Sequence, residues 1–508
     1  MTHLRFCLFI SSVLIVSACG GGGGSNGSVG NIDVGWKAGA YTNSDSFKNK
    51  CESPRLGSSE ITDIPFPDTK GTALDEKNFL RSWSHETYLW YKELPDINPA
   101  NSDDPQQYFE KLKTGANTSS GKAKDNFHFY EPTEDSEAWE AGVEYGYGLH
   151  LKVTSTTPPR SFYIADVEPA SPAETAGIKR GDTILALDNI DLVDDNTDAG
   201  ITILNEALFP SDVNASHKFT VRHVGENSNV DLTLTSAEVD VFGVPQTKII
   251  TQGSEKIGYI QFNTFIEKAQ DEWVAAVNDL KFAGVSDLVV DMRYNGGGLI
   301  SVASMVSYMI GGTNVSGQTF IQYVANDQYA ADTPIKFSTV GSYGVNANNN
   351  LPTFNFNRVY VLSTSGTCSA SELVVNSLRG AGVDVFLVGD ATCGKPYGFT
   401  PEDNCGTTYY TIQFKGINAK GFGEYSDGFV PSNTDNGLDL VKGCEVADDL
   451  NYALGDASEP LLAAALNLRS TGSCSVSVAN NGMQKTRAPI VDGKLLRSPR
   501  EEISIFDL

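Results

Sequence analysis

The chain has 508 residues, too many for one hydrophobic core, and so about two to four domains are expected. Its composition, 40% hydrophobic and 20% charged, is that of a globular protein rather than a disordered or fibrous one. A net charge of −26 repels phosphate backbones and anionic headgroups, which argues against nucleic acid as a partner and against membrane attachment through a basic surface.

Residues 1–18 have the layout of a signal peptide: a weakly basic lead, an apolar run at 6–16 too short to span a bilayer, then small Ser17 and Ala18. Val16-Ser17-Ala18-Cys19 resembles the bacterial lipobox, which implies lipidation of Cys19. Residues 19–30 then form the anchor and a Gly-rich tether. Gly20 beside the modified cysteine fits sorting to an outer membrane. The expected location is therefore the bacterial cell envelope, lipid-anchored, facing the periplasm or the cell surface.

Residues 31–135 read as an N-terminal region carrying a small helical domain. Phe79, Leu80, Trp83, Tyr88, Leu89 and Trp90, then Tyr108, Phe109 and Leu112, recur at roughly helical spacing, predicting helix over 76–115. Residues 140–238 change to short β-like runs at 148–153, 161–167, 183–187, 217–224 and 230–235. Between them Ser171 to Gly177 reads as one short helix, with Ser171 as N-cap, Pro172 at the first turn and Gly177 as stop. From 239 to 475 strand and helix alternate: strands at 256–262, 288–292, 358–363 and 383–388, helices at 271–280, 299–310, 370–378 and 461–468. That rhythm predicts an α/β domain with a largely parallel sheet. Residues 476–508 look like a surface tail.

Three segments of the α/β region could carry chemistry. Asp291-Met292-Arg293-Tyr294-Asn295-Gly296-Gly297-Gly298 follows a strand, and its glycines let the backbone turn N–H groups toward a developing negative charge. Thr367-Cys368-Ser369-Ala370-Ser371-Glu372 lies between a strand and a helix, so Ser369 sits at a helix N-terminus, where it either caps the helix or serves as a nucleophile. Gly394-Lys395-Pro396 follows the next strand, and a desolvated Lys395 becomes a base. Residues 224–508 contain no histidine, so the α/β region cannot assemble a Ser-His-Asp triad from its own residues, and Ser-Lys is the variant open to it.

Together these segments resemble the C-terminal processing (tail-specific) serine peptidases that carry a PDZ domain, here in lipoprotein form. The resemblance implies a multidomain α/β protein: a crotonase-like catalytic domain at 239–475, a β-rich PDZ domain at 140–238 and a small helical N-terminal domain. It implies Ser369 as nucleophile, Lys395 as base, and backbone N–H groups of Gly297 and Ala370 as the oxyanion hole. Tyr147-Gly148-Leu149 would take a peptide carboxylate by strand addition. No metal or organic cofactor is implied. Substrates would be proteins or peptides with accessible C-termini or unfolded segments, and contact with a membrane would run through the lipid anchor alone. One position departs: many relatives place a Gln four residues after the base, where this chain has Phe399. That departure leaves room for an alternative, a catalytically quiet envelope scaffold that binds peptides.

Beyond Cys7 and Cys19, six cysteines remain, and an even number in an exported chain suggests disulfides. Cys393 and Cys405 bracket the loop of Lys395 and are expected to pair. Cys444 and Cys474 would pair across the last helix, leaving Cys51 and Cys368 as a long-range link or as free thiols.

Overall fold

The structure is a computed structural model and describes residues 36–210, 212–330 and 332–474. The expected signal peptide, Cys19, the tether and the tail lie outside the described residues. No helix among the described residues is long and apolar enough to cross a membrane.

Helix α1 (Ala73–Thr87) begins at Thr72, which caps the Asp75 N–H while the Asp75 carboxylate takes the Thr72 N–H in return. The helix predicted through 115 stops at Thr87. Pro95 and Pro99 lie in the following stretch, and a proline lacks the N–H a helix interior needs, so helix resumes only at Pro105–Phe109. The aromatic stripe is nonetheless core: Phe79, Leu80, Trp83, Tyr108, Phe109 and Leu112 cluster with Tyr409. Tyr409 belongs to strand Thr407–Tyr410, which pairs antiparallel with Phe129–Pro132, so the N-terminal region is sewn onto the chain beyond Lys395.

The middle of the chain forms a six-stranded antiparallel sheet from Leu149–Ser155, Ser161–Val167, Thr183–Leu187, Ile190–Asp191, Ser216–Arg222 and Asn229–Thr235. Ser171 caps the short helix Pro172–Thr175, as the sequence predicts. Helix Asp198–Leu208, absent from the sequence reading, seals the sheet with Ile201, Leu204 and Leu208.

The last part is built on seven strands: β1 (Gln246–Gln252), β2 (Glu255–Gln261), β3 (Asp287–Asp291), β4 (Arg358–Ser363), β5 (Asp384–Gly389), β6 (Val430–Ser432) and β7 (Leu440–Glu445). Their order is β1-β2-β3-β4-β5-β7-β6, with β1 antiparallel to β2 and every other pairing parallel. Alternate residues face opposite layers. Ile260, Val290, Val361 and Leu387 pack under α2 (Glu267–Ala283), α3 (Ile300–Gly311) and α4 (Ala370–Gly380). Tyr259, Val289, Tyr360 and Val388 pack under α5 (Pro460–Thr471). A parallel sheet covered on both faces explains why these strands read as continuous apolar runs.

The disulfides correct two of the expected pairings. Cys444 joins Cys474 as predicted, but Cys393 joins Cys368, and Cys405 joins Cys51. The cause is strand register. Ser363 of β4 lies opposite Gly389 of β5 in parallel, so the chain leaving both strands carries Cys368 and Cys393 forward side by side. Cys405 lies in the hairpin of Glu402–Asn404 and Thr407–Tyr410, whose second strand pairs with the N-terminal region where Cys51 sits.

Candidate active site

The three segments singled out in the sequence leave the carboxyl ends of adjacent parallel strands β3, β4 and β5, the edge where open α/β sheets place their sites. Ser369 is the N-cap of α4 with φ +55° and ψ −112°, a conformation a side-chain-bearing residue adopts only when its surroundings hold it there. Gly297 lies directly against this turn. A Cβ there would come 2.8 Å from Ser369 Cβ and 3.0 Å from Ala370 N, and φ is +113°, so the close approach requires glycine. Asn295 ties the two loops: its carbonyl accepts the Cys368 N–H at 3.0 Å and the Ser371 hydroxyl at 2.9 Å.

Of the two expected oxyanion donors, Ala370 N–H makes no hydrogen bond among the described residues and stands at the positive end of α4. The Gly297 N–H is not free in the same way. It is given to Asn295 Oδ1 at 2.9 Å.

Lys395 is 2% exposed, and among the described residues its ammonium makes no ion pair or hydrogen bond. It faces two rings instead, with Nζ 4.2 Å from the centre of Phe399 and 5.0 Å from that of Phe127. Burial pulls its pKa down to about 8, against the opposing charges of Asp125 and Glu372. The position where relatives carry Gln thus supplies an aromatic wall. Phe399 is itself braced edge-on by Phe129 and Tyr410.

Glu372 joins the nucleophile turn to the base turn. Its Oε2 accepts the N–H groups of Ser369 at 3.0 Å and Lys395 at 2.8 Å, and its Oε1 accepts Gly394 N–H at 2.8 Å and the Thr392 hydroxyl. Burial pushes its pKa up to about 7 against these donors. Cys368, Glu372 and Cys393 form a close trio among the described residues. The two sulfurs are bonded to each other and both carboxylate oxygens already have donors, so the trio does not fit a metal ion.

Ser369, Lys395, Gly297 and Phe399 all line one cavity of about 390 Å³, the size of a ligand pocket. His150, Asp166 and Glu168 of the neighbouring β-rich unit border it too. For His150 burial opposes the charged ring, but the Glu168 hydrogen bond at 2.8 Å and its charge outweigh that and push the pKa up to about 10. A ring held protonated is no base. The same unit reaches the glycine-rich loop through Arg180, which donates to the Tyr294 hydroxyl at 2.6 Å and to Asp448 at 2.9 Å. Asp448 also takes Lys152 and Arg293, which hold its carboxyl well below the usual range despite burial.

Tyr147 and Gly148 lead into the first strand of that sheet, which begins at Leu149. Their carbonyls at 147 and 148 accept Ala173 and Glu168 N–H groups, while the Tyr147 and Gly148 N–H groups make no hydrogen bond among the described residues. Gly148 has φ +71° and a Cβ there would strike Ser171.

Residues 256–403 match the model of peptidase family S41, residues 75–127 that of the peptidase S41 N-terminal domain, and residues 163–201 a PDZ domain. The segment that carries Ser369 and Lys395 is thus similar to peptidase family S41. It is 30% identical over 240 residues to a carboxyl-terminal-processing protease of Picosynechococcus sp., covering 45% of this chain and 49% of that one. It is 26% identical over 231 residues to the carboxy-terminal processing protease CtpB of Bacillus subtilis, covering 44% and 42%. The chain therefore spans about half the length of the curated relatives it matches. The crystal structure of a protein assigned to the S41 proteases from Bacteroides fragilis shares the fold, with a TM-score of 0.57 at 22% identity over 78% of this chain and 97% of that one.

Sequence reasoning missed three parts of this site. Glu372 stands three residues after Ser369, a capping-box spacing that was a readable signal. Phe127 and Asp125 come from the N-terminal region, and no local pattern links them to Lys395. Asn295 was quoted within the glycine loop, but its tie to the nucleophile turn is tertiary.

Proposed function

We propose that this chain is a serine endopeptidase of the C-terminal processing type, with Ser369 as nucleophile and Lys395 as general base. The observation that carries the reading is a buried lysine that makes no ion pair among the described residues, lining the same cavity as a serine on a strained helix N-terminus. Neutral Lys395 takes the Ser369 hydroxyl proton as Oγ attacks the scissile carbonyl. The oxyanion meets Ala370 N–H, with Gly297 N–H as second donor once it turns from Asn295. Lys395 returns the proton to the leaving amine, giving an acyl-enzyme. Water, deprotonated by Lys395, then releases the acyl group. Phe399 replaces an orienting Gln by shielding the amine from water, which supports turnover rather than the quiet-scaffold alternative.

The PDZ unit binds an extended peptide or free C-terminus, its carboxylate at the Tyr147-Gly148-Leu149 turn, beside the catalytic cavity. The substrates are envelope proteins with accessible C-termini or unfolded segments. Three disulfides support an oxidising, exported setting, and the sequence around Cys19 supports a lipid anchor in the bacterial envelope. The experiment is hydrolysis of an unstructured protein by wild type, Ser369→Ala and Lys395→Ala. Both variants should lose turnover with melting temperatures near wild type. Cleavage by Ser369→Ala at the wild-type rate would refute the assignment.

A further inference from the structure

Cys368 and Cys393 take no part in the proposed hydrolysis, yet their bond joins the residue before the nucleophile to the residue two before the base. Their Cα atoms are 5.2 Å apart, and both side chains are buried. The turn they brace needs holding. Ser369 lies at φ +55°, a region that persists only where neighbours over-determine it.

The remaining restraints between the two turns are hydrogen bonds. Glu372 spans them, and Cys393 N–H donates to the Thr367 carbonyl at 3.1 Å. Glu372 holds both turns through the backbone N–H groups of Ser369 and Lys395. The disulfide is the covalent tie across the pair. The other two bridges lie elsewhere: Cys51–Cys405 fastens the N-terminal region to the hairpin beyond Lys395, and Cys444–Cys474 fastens β7 to the chain after α5.

We infer that the Cys368–Cys393 disulfide is a thiol-controlled positioning element: closed, it holds Ser369 within reach of Lys395; open, it lets the two turns part and turnover falls. This rests on the serine-peptidase reading above. The chemistry is thiol–disulfide exchange with a dithiol reductant. The reductant supplies two electrons and two protons, its own sulfurs close into a disulfide, and Cys368 and Cys393 become thiols. A disulfide oxidant reverses the step. A misplacement of about 1 Å between reacting groups lowers a rate by about a hundredfold, so small parting suffices.

The test uses the full chain, first oxidised, then treated with dithiothreitol, then reoxidised, alongside a C368A/C393A variant. Peptide kcat and KM, the rate of fluorophosphonate labelling, melting temperature and alkylation mapping of each cysteine are read in every state. Reduction should lower kcat and labelling by about ten- to a hundredfold at nearly unchanged KM, in step with alkylation of Cys368 and Cys393, and reoxidation should restore both. The variant should sit at the reduced level and ignore dithiothreitol. A variant with wild-type kcat, or activity lost in step with a different cysteine pair, would overturn the inference while leaving the serine-peptidase reading intact. Absence of labelling in every state would overturn both. Should the variant fail to fold, the reversible cycle on wild type, with its alkylation map, decides the question alone.

Discussion

Replacing Phe399 with alanine tests what the aromatic wall does for Lys395. Two effects oppose each other. The ring attracts the charged ammonium, a contribution of at most about 2 kcal/mol that favours protonation. The same ring keeps water away, which disfavours protonation. Lys395 falls from its ordinary value of 10.5 to about 8. That shift corresponds to roughly 3 kcal/mol in favour of the neutral form and comes from burial, to which the ring contributes one wall. Phe399→Ala should therefore move the acid limb of kcat/KM upward, from about 8 toward 10.5. At pH 7 about a tenth of a lysine with pKa 8 is neutral, against about 0.03% of one at 10.5, so the loss at pH 7 should lie between about tenfold and 300-fold. Most of it should be recovered near pH 10. The assay is a pH–rate profile on a fluorogenic peptide from pH 6 to 10.5, with melting temperatures at each pH. A limb that stays near 8 while the plateau drops would show that the ring only positions the amine. A limb that moves down would show that ring attraction dominates.

Lys395→Met should abolish activity yet stabilise the fold at pH 7. The folded pKa lies below the unfolded one, so wild-type stability is at its lowest below pH 8 and rises through the window up to 10.5. The variant's advantage in denaturant titration should be about 3 kcal/mol at pH 7, less any packing loss, and should vanish above pH 10.5; an unchanged difference across that window would contradict the depressed pKa. Glu372→Gln places an amide N–H₂ against buried N–H groups at Ser369, Gly394 and Lys395, and should cost at least about 2 kcal/mol in stability along with most activity. A wild-type melting temperature would remove Glu372 from its bridging role. Cys19→Ser should move the protein from the membrane fraction to the soluble one with kcat unchanged, and retention in the membrane fraction would refute the lipid anchor.

Sheet strands were legible in the sequence because burial on both faces makes them short apolar runs, and β4 falls where that pattern puts it. Ser369 and Lys395 were singled out because their two segments together resemble a known motif pair and each follows such a strand, and the structure puts both side chains on one cavity. The cysteine pairing was not. Separation along the chain favoured Cys393 with Cys405, whereas the register of β4 on β5 decides for Cys368. The walls of the lysine pocket were hidden for the same reason: Phe127 reaches Lys395 only because Phe129–Pro132 pairs with a strand nearly three hundred residues away. The helical reading past Thr87 failed on Pro95 and Pro99, which carry the chain round without ending its apolar rhythm.

The most direct test of the central claim is mass spectrometry of the protein after treatment with a fluorophosphonate, with the rate of labelling followed against pH. One adduct should form, on the peptide containing Ser369, at a rate that rises with pH through about 8, and Lys395→Met should suppress it across the range. An adduct on another residue, or labelling of Ser369 that is independent of pH and of Lys395, would contradict the account.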